Sequence, residues 1–490
     1  MAERRSSSIL FFFALFSAIL FLTHYRLLGL PFFWDEAGQF ISQSYDLWSK
    51  GSLIPESAMP NSHPPGLPLA LAALWKVFGY SIPITRGFML ILSAGFLTAS
   101  FLLAIELLRG SAGAPALLAA GFLLCNPLFF MQSIMAQLDL PSALFTTILL
   151  LAYVRKQEVL AVVAALVSVA FKETSLAIPL VLAVFAWREG KKRFAASLAL
   201  APILLLSIWF GFVYAKTGNI FGDAAYAQYN VLYPLHPIRL GYALFRRLSY
   251  LFVENLHLLP AGILLWRWRK IEFGAQWRPV AAACIAHGAF VSVSGGAVLE
   301  RYLLPILPVL YAAFAAALST LSIRRRNIAF ACSCAGLIAG LFVNPPWPFA
   351  LENNLAMIDA VEMEQAAAGF VEHKFSDRRI TTAWPMSDAL IKPYLGYVSQ
   401  PIRQVRLLED LSLDRLRAQD WRQGDVLVLY SRAWNPASSL VRWPLINRFL
   451  HRYFQFSTEA DLKDMVAIPT LKPLVGFEQR GMWVEILYVP

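Results

Sequence analysis

Apolar residues run unbroken for long stretches through most of this chain, and the polar positions gather in the gaps between them. A bilayer core about 30 Å thick takes about 20 apolar helical residues. Runs of that order at 9–29, 84–108, 113–131, 140–154, 157–171, 175–188, 195–215, 249–267, 279–297, 302–322 and 327–347 predict eleven transmembrane helices. Those at 140–154, 157–171 and 175–188 are short for a full crossing, so tilted, broken or re-entrant helices are expected there.

The gaps are informative. Residues 30–83 are too polar to cross, yet Phe40, Ile41, Tyr45 and Trp48 predict amphipathic helices lying along the outer face. A second gap, 216–248, holds Asp223, Tyr226, Tyr229, Tyr233, His236 and Arg239. After Asn344-Pro345-Pro346-Trp347-Pro348 the pattern becomes globular. Ile358, Val361, Ala368 and Val371 predict an amphipathic helix over 355–374. Strands are expected at Arg379–Ala383, Arg403–Leu407, Val426–Tyr430 and Trp483–Val489, with helices at Ser412–Gln419 and Leu440–Tyr453. The expected fold is an α-helical polytopic membrane protein with a C-terminal soluble α/β domain. The division is a transmembrane domain over 1–348, with a catalytic outer loop at 30–83, and a periplasmic domain over 349–490.

Composition agrees with a membrane protein: of 490 residues 58% are hydrophobic and only 15% charged, which excludes an ordinary soluble domain. Charge sets the orientation. With the N-terminus inside, the cytoplasmic loops collect Arg4, Arg5, Arg109, Arg155, Lys156, Arg188, Lys191 to Arg193, Arg267, Arg269, Lys270, Arg278 and Arg324 to Arg326. The opposite loops carry fewer basic residues over a greater length, a positive-inside bias. That bias accounts for much of the +11 net charge without nucleic acid, for which no basic strip with interleaved aromatics is present. Arg4 and Arg5 precede the first run, but no small-x-small cleavage site follows it, so an uncleaved anchor is expected. Cys125, Cys284, Cys332 and Cys334 all fall in predicted spans, which leaves no disulfide framework outside the membrane.

The chemistry-bearing residues sit at the predicted outer ends of spans. Asp35 and Glu36 follow the first run directly, where either can act as a base or ligate a cation; helix capping accounts for one of them but not the pair. Asp139, in Gln137-Leu138-Asp139-Leu140-Pro141, reads as a second acid on the same face or as a cap. His63 precedes Pro64-Pro65, a stiff element that fixes its side chain. Lys172 stands at the end of a short hairpin, suited to a lipid phosphate, to snorkelling or to pairing with Glu173. In Glu300-Arg301-Tyr302, arginine suits bidentate phosphate contact. His24, His257 and His287 lack a partner pattern and read as structural.

Asp35-Glu36, His63-Pro64-Pro65-Gly66, Gln137 to Pro141, Phe171-Lys172-Glu173-Thr174 and Arg301-Tyr302-Leu303-Leu304-Pro305 match in order and spacing across the transmembrane region. In these pieces the chain resembles the C-type membrane glycosyltransferases, in the bacterial branch related to protein O-mannosyltransferases and the lipid A aminoarabinose transferase. The resemblance implies a polyprenyl-phosphate sugar donor and an inverting transfer to a hydroxyl of a glycolipid, glycan or protein acceptor at the outer face of a bacterial inner membrane. It implies Asp35 as catalytic base, Glu36 in support and Asp139 as a further catalytic acid. Lys172, Arg301, Tyr302 and His63 become substrate-binding positions, although His63 stands where relatives often carry lysine. No cofactor is required, and the motifs leave room for a divalent cation. The alternative reading is a lipid-linked sugar flippase or transporter; against it stand the absence of a convincing internal repeat and the gathering of charge at one face.

Overall fold

The computed structural model describes residues 2–109, 116–294, 296–436, 438–456 and 458–490. It divides into two compact units, one of Met1–Leu28 with Gln43–Val343 and one of Gly29–Ser42 with Asn344–Pro490. The chain is mostly helical, with one small sheet near its C-terminus.

The first unit is built from α1 (Ala2–His24), α2 (Ser42–Lys50), α3 (Gly66–Phe78), α4 (Ile82–Leu107), α5 (Ala116–Cys125), α6 (Pro127–Gln132), α7 (Asp139–Val154) and α8 (Glu158–Phe171). It continues through α9 (Ala177–Arg188), α10 (Lys192–Thr217), α11 (Ala224–Ala227), α12 (Pro237–Phe252), α13 (Leu258–Arg267), α14 (Trp277–Val293), α15 (Leu307–Ser319) and α16 (Ile323–Phe342). Among the described residues, each apolar run read from the sequence lies mostly on helix. By length and apolarity, four stretches among the described residues are fit to cross a membrane: Ile9–Leu27, Ile82–Leu107, Lys192–Thr217 and Glu300–Ser319. The last is 83% buried inside the protein and the first 17%, so the former is central and the latter peripheral.

Two of the predicted spans are broken, each for a local reason. The run at 113–131 divides at Asn126, whose side chain accepts the Phe129 N–H at 2.9 Å while Pro127 opens α6. The run at 249–267 divides at Asn255 and Leu256, which adopt left-handed φ of 53° and 61°. The exposed carbonyls and amides of such breaks must be satisfied inside the protein when lipid surrounds it. A buried network meets that need: the Asn126 amide donates to Tyr311 Oη (2.6 Å) and Tyr250 Oη (3.2 Å), and His257 bridges Tyr311 Oη (3.0 Å) and the Tyr250 carbonyl (2.8 Å). His257 is therefore a structural histidine.

The second unit holds α17 (Ala356–Phe375), α18 (Met386–Ile391), α19 (Leu413–Arg417), α20 (Ser438–Val441) and α21 (Pro444–Phe454) around a five-stranded sheet. Its strands are β1 (Ile380–Ala383), β2 (Val405–Leu408), β3 (Val426–Tyr430), β4 (Lys472–Gln479) and β5 (Met482–Tyr488), ordered β2-β1-β3-β5-β4. β1 pairs in parallel with β2 and β3, whereas β5 is antiparallel to both β3 and β4. Continuous burial marks β1 and β3 as the centre. β4 lies outside the sequence expectation; it is largely exposed, with Val475 and Phe477 half-buried, and a tight turn through Arg480 and Gly481, both at positive φ, pairs it with β5.

The excursion 29–42 belongs to this second unit. The Phe32 N–H donates to the Leu395 carbonyl at 3.1 Å, and Tyr397 Oη returns a bond to the Phe32 carbonyl at 3.1 Å. Trp34 meets Trp384 edge to face at 4.9 Å. The Trp384 indole sits so close over Gly38 that a Cβ there would come within 2.7 Å of it.

Candidate functional site

Helices α7 and α8 are nearly equal in length and joined by the short turn Arg155–Gln157, so they run antiparallel. That geometry returns Lys172, just past the end of α8, to Asp139 at the start of α7. Lys172 Nζ bonds Asp139 Oδ1, and Arg301 Nε lies 3.0 Å from Asp139 Oδ2. Arg301 and Tyr302 come from the 3₁₀ turn Glu300–Ile306 that leads into α15. All three ionic side chains are almost fully buried.

Neighbouring elements fix the cluster. The turn before Asp139 is held from α4, where buried Arg86 donates to the Ile134 carbonyl (2.8 Å) and Ser93 to the Ser133 carbonyl (3.0 Å). Ser142 on α7 bonds Ser175 across the hairpin. His287 Nε2 on α14 lies 3.0 Å from the Tyr302 carbonyl and so holds that turn; like His257, it is structural. Gly66 packs so tightly on the end of α8 that a Cβ would fall 2.5 Å from the Ala170 carbonyl oxygen.

The ring of Tyr302 is ringed by cations. Lys172 Nζ stands 3.7 Å from its centroid, the Arg247 guanidinium 5.5 Å and the Arg301 guanidinium 5.7 Å. Arg247, on α12, donates to the Val291 carbonyl at 2.6 Å and the Leu299 carbonyl at 3.1 Å, while its buried Nε has no hydrogen-bond partner among the described residues. Its neighbour Arg246 is balanced by Glu300 and Glu254. Of the three cations that surround Tyr302, Asp139 thus bonds two, Lys172 and Arg301, in a setting away from water. Burial pushes the Lys172 ammonium below its usual range, against the opposing pull of Asp139. Such a site is suited to an anion, one of whose oxygens would meet the Arg247 Nε.

Sequence reasoning missed Arg247, Arg246 and Arg86. The signal for the first two was the basic, strongly amphipathic stretch Pro237–Phe252, read there partly as loop; nothing marked Arg86 within an apolar run.

His63 is held between Glu173 Oε2 and Tyr226 Oη, each 3.0 Å from a ring nitrogen, so both nitrogens are engaged. Burial raises the Glu173 carboxyl, but His63 and Lys172 outweigh it and hold the group below its usual range. Lys172 therefore pairs with Asp139 by direct contact, and Glu173 with His63. Asp35 and Glu36 belong to the second unit. Glu36 is fully buried and accepts the Phe33 N–H at 3.0 Å; Asp35 is half-buried, makes no capping bond, and takes a 3.4 Å bond from Gln39. Asp139 likewise is not a cap. Among the described residues no three His, Cys, Asp or Glu side chains gather where they could hold a metal ion.

Two solved structures share this architecture. ArnT from Cupriavidus metallidurans bound to undecaprenyl phosphate superposes with a TM-score of 0.58 at 16% identity, over 96% of this chain and 97% of that one. The same protein in the apo state gives 0.56 at 15% identity with the same coverage. The chain has the fold of the C-type membrane glycosyltransferases. No family model matches it, and no curated protein matches it by sequence.

Proposed function

We propose that the protein is an integral-membrane glycosyltransferase that moves a sugar from a polyprenyl-phosphate donor to a hydroxyl-bearing acceptor at the outer face of a bacterial inner membrane. The observation that carries the reading is the buried cluster around Tyr302, where Lys172, Arg301 and Arg247 converge on one ring and the Arg247 Nε has no hydrogen-bond partner among the described residues. It fits a phosphate on an apolar tail, and the similar ArnT is described as bound to undecaprenyl phosphate.

In this reading Lys172, Arg301 and Arg247 hold the donor phosphate and stabilise the charge that grows on it as it leaves. Asp35 takes the acceptor's hydroxyl proton. The acceptor oxygen bonds the anomeric carbon from the face opposite the phosphate, and the polyprenyl phosphate departs with the electron pair of the broken bond. The configuration at that carbon inverts. Glu36, buried and bonded to Phe33, holds the turn that presents Asp35. Asp139 orients Lys172 and Arg301. His63, tied to Glu173 and Tyr226, steadies the 216–248 segment as it orders over the donor.

The test is transfer of radiolabelled sugar from purified polyprenyl-phosphate sugars into a membrane extract. Asp35→Asn is expected to retain donor binding and lose transfer by about 10²–10⁴-fold, the usual contribution of a general base. Lys172→Ala with Arg247→Ala is expected to weaken donor binding itself. Equal transfer by wild type and Asp35→Asn would remove Asp35 from the chemistry.

A further inference from the structure

A second charged cavity lies at the far end of the α7–α8 hairpin, about 24 Å along α7 from Asp139 at 1.5 Å per residue. It measures about 700 Å³ and is lined by the ends of α4, α7, α9, α10 and α14. That volume is within the range of small-ligand sites.

Its charge is unbalanced. Glu106 is already bonded by Arg109 (2.7 Å) and Arg155 (2.8 Å), and Glu189 by Lys191 (3.2 Å). Lys156 and Arg278 also line the cavity, and among the described residues neither has a carboxylate partner. Lys156 is held in the left-handed region at φ 58°, its N–H bonded to the Tyr153 carbonyl at 3.0 Å. A lysine in that conformation is strained, and the tight turn fixes where its side chain begins. Tyr153 adds an independent sign: it lines the cavity, and its buried hydroxyl has no hydrogen-bond partner among the described residues.

Apart from Gln276, the remaining wall is apolar. Phe194 stacks on Tyr153 at 6.1 Å, Phe185, Val154, Ala275 and Pro279 also line the cavity, and α9, which supplies Phe185, exposes Val184 and Trp187. A soluble anion would have no use for such a wall; an acyl chain would. Basic pockets between helix ends at the positively charged side of a membrane protein suit anionic headgroups.

We propose that this cavity binds the phosphodiester headgroup of an anionic glycerophospholipid, with Lys156 and Arg278 contacting the phosphate and the Tyr153 hydroxyl donating to it. The acyl chains follow the exposed face of α9. This site is separate from the cluster around Tyr302 and does not depend on the transferase reading.

The test uses the full-length protein in neutral detergent, titrated with phosphatidylglycerol, phosphatidylcholine or sn-glycerol 3-phosphate and followed by native mass spectrometry and thermal shift. Phosphatidylglycerol is expected to bind and raise the melting temperature, whereas phosphatidylcholine and glycerol phosphate at equal concentration do neither. Lys156→Ala with Arg278→Ala is expected to weaken phosphatidylglycerol binding about tenfold or more. Lys156→Arg with Arg278→Lys, which keeps the charge, is expected to retain it, and so separates lost charge from damage to the fold. Equal binding of phosphatidylcholine, or unchanged phosphatidylglycerol affinity in the alanine variant, overturns the proposal. Binding of glycerol phosphate as strong as that of the lipid also overturns it, by assigning the cavity to a soluble anion.

Discussion

Asp139 is the residue on which the charged cluster turns. It binds two buried cations at once, so its removal leaves both without their carboxylate. Breaking a buried ion pair from one side costs about 3–5 kcal/mol, because the orphaned charge stays desolvated. Asp139→Asn is therefore expected to lower the thermal unfolding temperature of the detergent-solubilised protein clearly. Adding Lys172→Met to it should restore part of the loss, since one orphaned cation is then gone. A larger loss in the double variant would show that Lys172 is not held there by Asp139. Glu364, in the second unit, titrates in the opposite sense. Burial pushes its carboxyl up to about 8, against a smaller lowering by the hydrogen bond from Tyr397. An unfolded glutamate ionises near 4.3. Between those values the unfolded chain has released a proton that the folded one keeps, so stability falls as pH rises from about 4.3 to about 8 and then levels off. Glu364→Gln should flatten that fall in a melting series from pH 5 to 9; an equally steep fall in the variant would assign it to another group.

At the scale of elements, packing depends on close approach at helix ends and on polar closure of helix breaks. Gly66 admits α3 against the end of α8, the helix that delivers Lys172. Gly66→Ala would place a carbon 2.5 Å from the Ala170 carbonyl oxygen, which is backbone and cannot swing aside. Overpacking of this kind costs about 1–3 kcal/mol. A melting temperature unchanged in Gly66→Ala would show that α3 moves away freely. Tyr311→Phe tests the break at Asn126: it strands one N–H of the Asn126 amide, whose other bond to Tyr250 remains, and a ring nitrogen of His257, each buried. The expected loss is about 1–3 kcal/mol per unsatisfied group, read from chemical denaturation. The sequence shows Asn126-Pro127 plainly as a cap and first turn. It does not show that Tyr250, His257 and Tyr311, from 124 to 185 residues away, close the gap.

At the scale of the whole molecule, the chain leaves its second unit early and returns to it late. Residues 29–42 separate from 344–490 by the length of the first unit, yet they share a backbone bond, an aromatic contact and the seat at Gly38 with that region. A fragment of 344–490 is expected to be less stable than the same fragment supplied with a 29–42 peptide, with the gain visible as a rise in denaturation midpoint and a change in Trp384 fluorescence. No difference would mean that the early segment adds nothing to the fold of the late one. The boundary expected after residue 348 follows the change in composition, and composition carries no sign that a short polar excursion belongs with a domain hundreds of residues later.

Hydrophobic run length determined the helices by itself, because the cost of leaving backbone groups unpaired in lipid forces a long apolar run to be helical whatever surrounds it. The buried strands β1, β3 and β5 were legible for a related reason, their apolar side chains being continuous or alternating over a length that only a strand fits. Motif spacing placed Lys172, Asp139, Arg301 and Tyr302 at equivalent ends of their elements. Tertiary structure alone decided that Lys172 pairs with Asp139 instead of Glu173, and that Arg247 completes the ring of cations around Tyr302. It also decided that β4, largely exposed, is a strand. Those outcomes depend on which elements are neighbours across long separations in the chain. An ion pair or a cation over an aromatic ring is stabilised by its partner, and the partner leaves no mark in the local pattern.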